Sequence, residues 1–175
     1  DLDLYLIHWP APGMDLAASL GELVRLKEEG LARHIGVSNF TVALLKQAVE
    51  EIGAPIAANQ VEYHVLLDQT PLLAYMRARG IALTAYCPLA QGRLADHPAL
   101  DAIAAKHNVS AAQVALKWLL DQDNVGAIPK AGRATSQQAN LDAWTLSLDD
   151  ADRAAIAALP KDVRCVTPAH APIWD

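Results

Sequence analysis

The sequence predicts an α/β fold, a partial (β/α)8 TIM barrel of about five βα units followed by a C-terminal helix and a tail. Three observations predict it. Short apolar strands alternate with helical stretches at intervals of roughly 25 to 45 residues, as parallel strands joined by right-handed crossovers require. No strand leads into the G-x-G-x-x-G phosphate loop that a doubly wound sheet would carry. The 175 residues, 53% of them hydrophobic, can bury a sizeable core, whereas a complete barrel takes about 250. Residues 1–175 are therefore read as a single partial barrel domain that begins inside the fold, with about three units upstream.

The elements follow in order. Asp3–His8 turns continuously apolar (Leu4, Tyr5, Leu6, Ile7) before Pro10, which suits a strand buried on both faces. In DLAASLGELVRLKEEG, Leu16, Leu20, Leu23, Val24 and Leu26 recur at helical spacing, and Gly30 is a C-terminal stop. The pattern repeats as strand HIGVSN with helix TVALLKQAVEEIG, and as strand AANQVEYH with helix TPLLAYMRARG. Strand IALTAYCPLA precedes two helices, PALDAIAAKHN and SAAQVALKWLLDQ, and strand VGAIPK precedes helix ATSQQANLDAWTL. SLDDADRAAIAALP reads as a last helix capped by Ser147, with Asp149 and Asp150 in its first turn. The strands Asp3–His8 and Val125–Lys130 are expected to be open sheet edges.

Composition narrows the function classes. A net charge of -6 and a pI near 5.4 argue against nucleic acid or an anionic membrane as partner. Cys87 and Cys165 form no C-x-x-C pair, so neither a disulfide framework nor a zinc site is expected, and a reducing cytoplasm fits. No apolar run approaches the roughly 20 residues that span a bilayer, and no signal-type leader opens the chain.

Barrel enzymes carry their chemistry at the C-terminal ends of strands. Those ends are His8-Trp9, Ser38-Asn39, Gln60, Tyr86 and Lys130. Any one of them could be a solvated loop residue or a cap. Together, an imidazole, amides, a hydroxyl, a flat aromatic and a cation suit a planar, phosphate-bearing ligand such as a nucleotide cofactor.

The motifs LYLIHWP, HIGVSNF, NQVEYH, AYCPLAQG and IPKAG…N stand in the order and spacing of the aldo-keto reductase family, which the chain resembles over essentially its whole length. The tail APIWD is similar to the ending of bacterial members of the 2,5-diketo-D-gluconic acid reductase type. The resemblance implies an NADP(H)-dependent oxidoreductase that reduces aldehydes and ketones, sugar-derived or small, to alcohols, and a monomer at full length. The family places an Asp, a Tyr, a Lys and a His around the nicotinamide, and only the His falls in this chain. His8 is thereby implied to hydrogen-bond the substrate carbonyl, with the proton-donor Tyr lying before Asp1. This chain alone is then expected to be inactive or nearly so, because general acid catalysis contributes about a hundred- to ten-thousand-fold.

By the same resemblance Trp9 walls the substrate pocket, the alternative being a rim aromatic. Ser38, Asn39 and Gln60 clamp the nicotinamide carboxamide, since Asn and Gln offer a donor and an acceptor in one side chain; Asn39 could instead be a helix cap. Tyr86 stacks on the nicotinamide, or is an ordinary core Tyr. Cys87 replaces a Ser common among relatives and weakens a bond to the pyrophosphate, which Leu89 approaches through its backbone. Lys130 meets the adenosine 2′-phosphate, with Arg133 as a second cation, which favours NADP over NAD. Ala131 and Ser136 stand where relatives carry a Ser and an Arg for that phosphate, so the preference is smaller than usual. Asn140 bonds the adenine edge, or is a helix-surface Asn.

Other residues are read as structural. Tyr63 and His64 are adjacent on a strand and point to opposite faces, so they are no acid–base pair. His34, His97, His107 and His170 lack metal-ligand spacing, no metal is expected, and Asp149, Asp150 and Asp152 read as a solvated helix start. Two other classes remain: a non-catalytic nucleotide-binding or regulatory relative, and a Schiff-base aldolase using Lys130. The substrate itself is not legible, since selectivity would come from upstream loops and the tail around Arg164–Trp174.

Overall fold

The computed structural model describes residues 2–175. Its strands are β1 (Leu2–Ile7), β2 (Ala32–Ser38), β3 (Ile56–Glu62), β4 (Ala82–Tyr86) and β5 (Val125–Ala127). Its helices are α1 (Leu16–Glu28), α2 (Val42–Lys46), α3 (Thr70–Arg77), α4 (Pro98–His107), α5 (Ala111–Leu120), α6 (Ala134–Asp142) and α7 (Asp150–Ala157). The sheet order is β1-β2-β3-β4-β5, and β1–β2 and β2–β3 pair parallel. A strand order that follows the chain without reversal is barrel winding, because a doubly wound sheet reverses at a switch point. The expected partial (β/α)8 architecture is thus present. Two compact units divide the chain: the first holds residues up to Val61, Gln69–Thr84 and Thr167–Asp175, and the second holds Glu62–Asp68 and Ala85–Val166.

In the first unit, Asp15 caps α1 by accepting from the Ala18 N–H at 2.9 Å, and Gly30 ends it at φ +76°. Leu23 of α1 packs with Ala32 and Ile35 of β2, and Ile7 of β1 lies against them. The pairing sets Leu6 opposite Gly36 and Ser38 opposite Gln60, with a register shift between Ile35 and Val37. Gly36 is required there: a Cβ would lie 2.5 Å from the Ala58 carbonyl oxygen and 2.7 Å from Leu6 Cδ2. The single helix expected from TVALLKQAVEEIG is instead α2 followed by a π-helical turn over Gln47–Glu51.

One expectation is overturned here. β1 is not buried on both faces; Leu2, Leu4 and Tyr5 are 52%, 41% and 43% exposed. Its side chains suit a central strand, and β1, first in the sheet order, pairs with β2 among the described residues, as the expected open edge requires.

In the second unit, Leu100, Ile103, Val114, Leu148 and Ile156 form the centre of a core drawn from α4, α5 and α7 and the loop before α7. Ser110 and Gln113 form a reciprocal capping box on α5. β5 stops at Ala127; the Ile128 N–H still reaches the Ala85 carbonyl at 3.1 Å, and Pro129 then has no N–H to give. The tail segment runs beside the loop after β3, with bonds from Val163 N–H to Leu66 and from Asp68 N–H to Lys161.

Two readings at the last helix are corrected. Its cap is Asp149 and not Ser147: Asp149 has extended backbone angles, and it exchanges bonds with Asp152 in a capping box. Asp152 is not on a solvated face. It is 3% exposed, accepting from Lys106 Nζ at 2.8 Å and lying 2.7 Å from His107 Nε2. The helical period turns the third residue of α7 inward, where α4 supplies the cation. Among the described residues no helix is long and apolar enough to cross a membrane.

Candidate active site

The first unit gathers His8, Ser38, Asn39 and Gln60 into one bonded cluster at the ends of β1, β2 and β3. The in-register pairing brings Ser38 beside Gln60, and Ser38 Oγ donates to the Gln60 carbonyl at 2.7 Å. The Asn39 backbone N–H donates to that same carbonyl at 2.9 Å. Asn39 Nδ2 donates to the His8 carbonyl at 3.0 Å and to Ser38 Oγ at 3.2 Å. Asn39 is 1% exposed and takes φ +63°, a left-handed conformation that Asn tolerates better than most side chains. Its helix-cap alternative does not hold, since α2 is capped by Thr41, which accepts from the Leu44 N–H. With its carbonyl held in this way, His8 presents an exposed imidazole.

Beside His8, Trp9 meets His170 edge-on with centroids 5.2 Å apart and meets Trp174 at 6.2 Å. The tail ends by returning to the start of α2, where Asp175 Oδ2 accepts from the Val42 N–H at 2.9 Å. Trp9 therefore sits in an aromatic group closed by tail residues.

Sequence reasoning missed Asn59. It is fully buried on β3; its Nδ2 donates to the Phe40 carbonyl at 2.9 Å and its Oδ1 accepts from the Phe40 N–H at 3.4 Å. This pair of bonds fixes the turn that carries Asn39. A buried Asn inside an apolar strand was the available signal, because such a group must find partners.

The second unit holds the remaining residues. Tyr86 is half-buried at the end of β4, where burial pushes its phenol pKa up, with the Glu62 charge adding to the rise. Leu89 and Lys130 line one cleft of 680 Å³ together with Cys87 and with Ser110, Ala111 and Ala112 at the start of α5. Burial also raises the Cys87 thiol, whose Sγ accepts from Gln91 Nε2 at 3.8 Å. Asn140 is not in that cleft; it lines an adjoining groove of 530 Å³ with Trp144 and Leu141, and Pro129 belongs to both. Arg133 lines neither and is exposed at the N-cap of α6. Lys130 is an exposed cation, as a phosphate contact requires and a desolvated Schiff-base lysine does not.

Tyr63 and His64 have separate partners: Tyr63 Oη donates to Gln122 Oε1 at 2.9 Å, and His64 Nε2 lies 2.9 Å from Glu62 Oε1. Glu62 went unremarked in the sequence, though it stands two residues before His64. Its buried carboxylate also accepts from the Cys165 N–H at 2.6 Å and the Val166 N–H at 2.8 Å. Burial alone would raise Glu62, but the bonds from His64 and the two backbone N–H groups outweigh it and hold the carboxyl below its ordinary value.

A half-barrel whose strand ends carry this imidazole, amide cluster and cation defines a class, and comparison with known proteins names it. The aldo/keto reductase family matches residues 1–161, and the chain belongs to that family. It is 42% identical over 178 residues to the methylglyoxal reductase DkgB of Yersinia pestis, covering 99% of this chain and 66% of that protein. It is 43% identical over 164 residues to the glyoxal reductase of Bacillus subtilis, covering 93% of this chain and 58% of that one. A crystal structure provisionally named 2,5-diketo-D-gluconic acid reductase B superposes with a TM-score of 0.94 at 38% identity, over 99% of this chain and 62% of the other. The chain thus spans less than two thirds of the length of each.

Proposed function

We propose that the protein is an NADP(H)-dependent oxidoreductase that reduces small or sugar-derived aldehydes and ketones to alcohols in the cytoplasm, acting as a monomer. In this reading residues 1–175 are one partial barrel domain that supplies the His and most cofactor contacts but not the proton-donor Tyr. The observation that carries it is the bonded cluster of Ser38, Asn39 and Gln60 against the His8 carbonyl. The reductase names of the relatives support carbonyl reduction.

The residues fit the cofactor by their chemistry. Ser38, Asn39 and Gln60 hold the carboxamide of the nicotinamide, and Tyr86 provides a flat apolar face for its ring. Leu89 lies along the pyrophosphate, Lys130 and Arg133 pair with the 2′-phosphate, and Asn140 bonds the adenine edge. When bound, NADPH supplies a hydride. His8 donates an N–H to the substrate carbonyl oxygen, orienting it and meeting the charge that grows there. Trp9, with His170 and Trp174, shields that oxygen from water and selects the substrate by shape.

Titration of intrinsic tryptophan fluorescence with NADPH and NADH tests this reading. Saturable quenching, tighter for NADPH, is expected. Equal and weak quenching by both cofactors would remove Lys130 and Arg133 as a phosphate site.

A further inference from the structure

We propose that Glu62, His64 and Cys165 form a three-ligand site for a divalent cation of the zinc type, which fastens the tail to the end of β3. The inference stands apart from carbonyl reduction. One ligand atom from each residue lies within 4.8 Å of the others. His64 Nε2 is 2.9 Å from Glu62 Oε1 and 3.9 Å from Cys165 Sγ. Zinc bonds of about 2.0 to 2.3 Å in tetrahedral geometry place ligand atoms roughly 3.3 to 3.8 Å apart, so closing the site draws the widest pair, now within 4.8 Å, together by about 1 Å. A carboxylate, an imidazole and a thiolate together suit zinc and not the oxygen-seeking magnesium or calcium.

The surroundings support the same assignment. Glu62 and His64 are fully buried; the Val166 N–H holds Glu62 Oε2, and Oε1, which accepts from the Cys165 N–H, faces the His64 ring. Such outer bonds orient metal ligands. A divalent cation with the carboxylate and a thiolate sums to zero. On binding, the thiol proton leaves to solvent and the imidazole proton moves from Nε2 to Nδ1. The bonds given up are the 2.9 Å bond between His64 Nε2 and Glu62 Oε1, which the cation replaces, and the long 3.3 Å contact from the Leu66 N–H. Nothing is oxidised or reduced.

The consequence is mechanical. Glu62 already holds the tail backbone at Cys165 and Val166 through two N–H bonds, and the cation adds a bond through the Cys165 side chain. Three protein ligands also leave a fourth position for water.

Cobalt(II) titration of the purified protein tests the site. One cobalt per chain should bind with a thiolate-to-cobalt charge-transfer band, and zinc should displace it. The band should vanish in Cys165→Ser and His64→Gln and persist in Cys87→Ser. In the wild-type protein, zinc should slow alkylation of Cys165 by iodoacetamide, read by mass spectrometry, which decides the matter if the variants fail to fold. No band, a band that survives Cys165→Ser, or unchanged alkylation overturns the proposal.

Discussion

The two ends of the proposed cofactor site are built on opposite principles. At the nicotinamide end Ser38 and Asn39 are 3% and 1% exposed, and their polar atoms are spent on the backbone of β1 and β3. At the phosphate end Lys130 and Arg133 are exposed, and Cys87 offers only a 3.8 Å sulfur contact. The first arrangement is preorganised by strand pairing, so its geometry does not depend on the ligand. The second is a charge held in water, so under the proposed reading it would discriminate by electrostatics and respond to salt. Under that reading, fold stability and ligand recognition are therefore coupled at one end and separable at the other.

Four variants sharpen or break that comparison. The largest effect is expected for His8→Ala in the full-length protein that also carries the proton-donor Tyr, where it should lower kcat/KM for an aldehyde such as methylglyoxal by about a hundred- to a thousand-fold. NADPH binding should stay unchanged, and so should stability, because the imidazole is exposed. Steady-state kinetics with a parallel fluorescence titration reads both.

Next comes Asp152→Ala, which tests whether the second unit also depends on buried polar contacts. It should cost about 3 kcal/mol in urea unfolding, the low end for a broken buried pair because Lys106 is half exposed. Burial would raise the Asp152 carboxyl, but bonds from Lys106 and His107 and from the Asp149 N–H hold it well below the carboxylate range. A carboxylate depressed in the folded state stabilises fully above its ordinary unfolded pKa of about 3.9 and loses that contribution as pH falls through the folded value. The wild-type and Asp152→Ala stabilities should therefore differ by a constant amount above about pH 5 and converge only in stronger acid.

Asn39→Ala should cost about 1 to 3 kcal/mol, since it strands the His8 carbonyl and puts a less tolerant residue at positive φ. It should also weaken NADPH binding. Loss of binding with no loss of stability would show that the nicotinamide end is not preorganised by the fold. The smallest effect is expected for Lys130→Ala with Arg133→Ala: NADPH affinity falls about ten- to a hundred-fold, NADH affinity is unchanged, and the unfolding curve does not move.

Much of this was legible in the chain. β1 to β5 fall within the expected segments or within two residues of them, because apolar runs bounded by Gly and Pro mark strands between helices. The motif HIGVSN pointed to Ser38 and Asn39, and the structure brings both to Gln60 through strand register. What periodicity could not reveal was the company a residue keeps. Ser147 and Asp149 are equally good cap residues by type, and only the backbone angles choose Asp149. Asp152 looked like one more acid in a solvated run, yet Lys106 and His107, over forty residues earlier, make its burial affordable.

By itself the sequence determined the barrel winding, the strand ends that carry polar side chains, and membership of the aldo/keto reductase family. Those properties depend on local pattern and short motifs, which survive in one dimension. Only the tertiary structure decided that Asn59 holds the turn at Phe40 and that Glu62, His64 and Cys165 meet. Each of those depends on which distant segments pack together, and burial, hydrogen-bond partnership and charge pairing have no value until that packing exists.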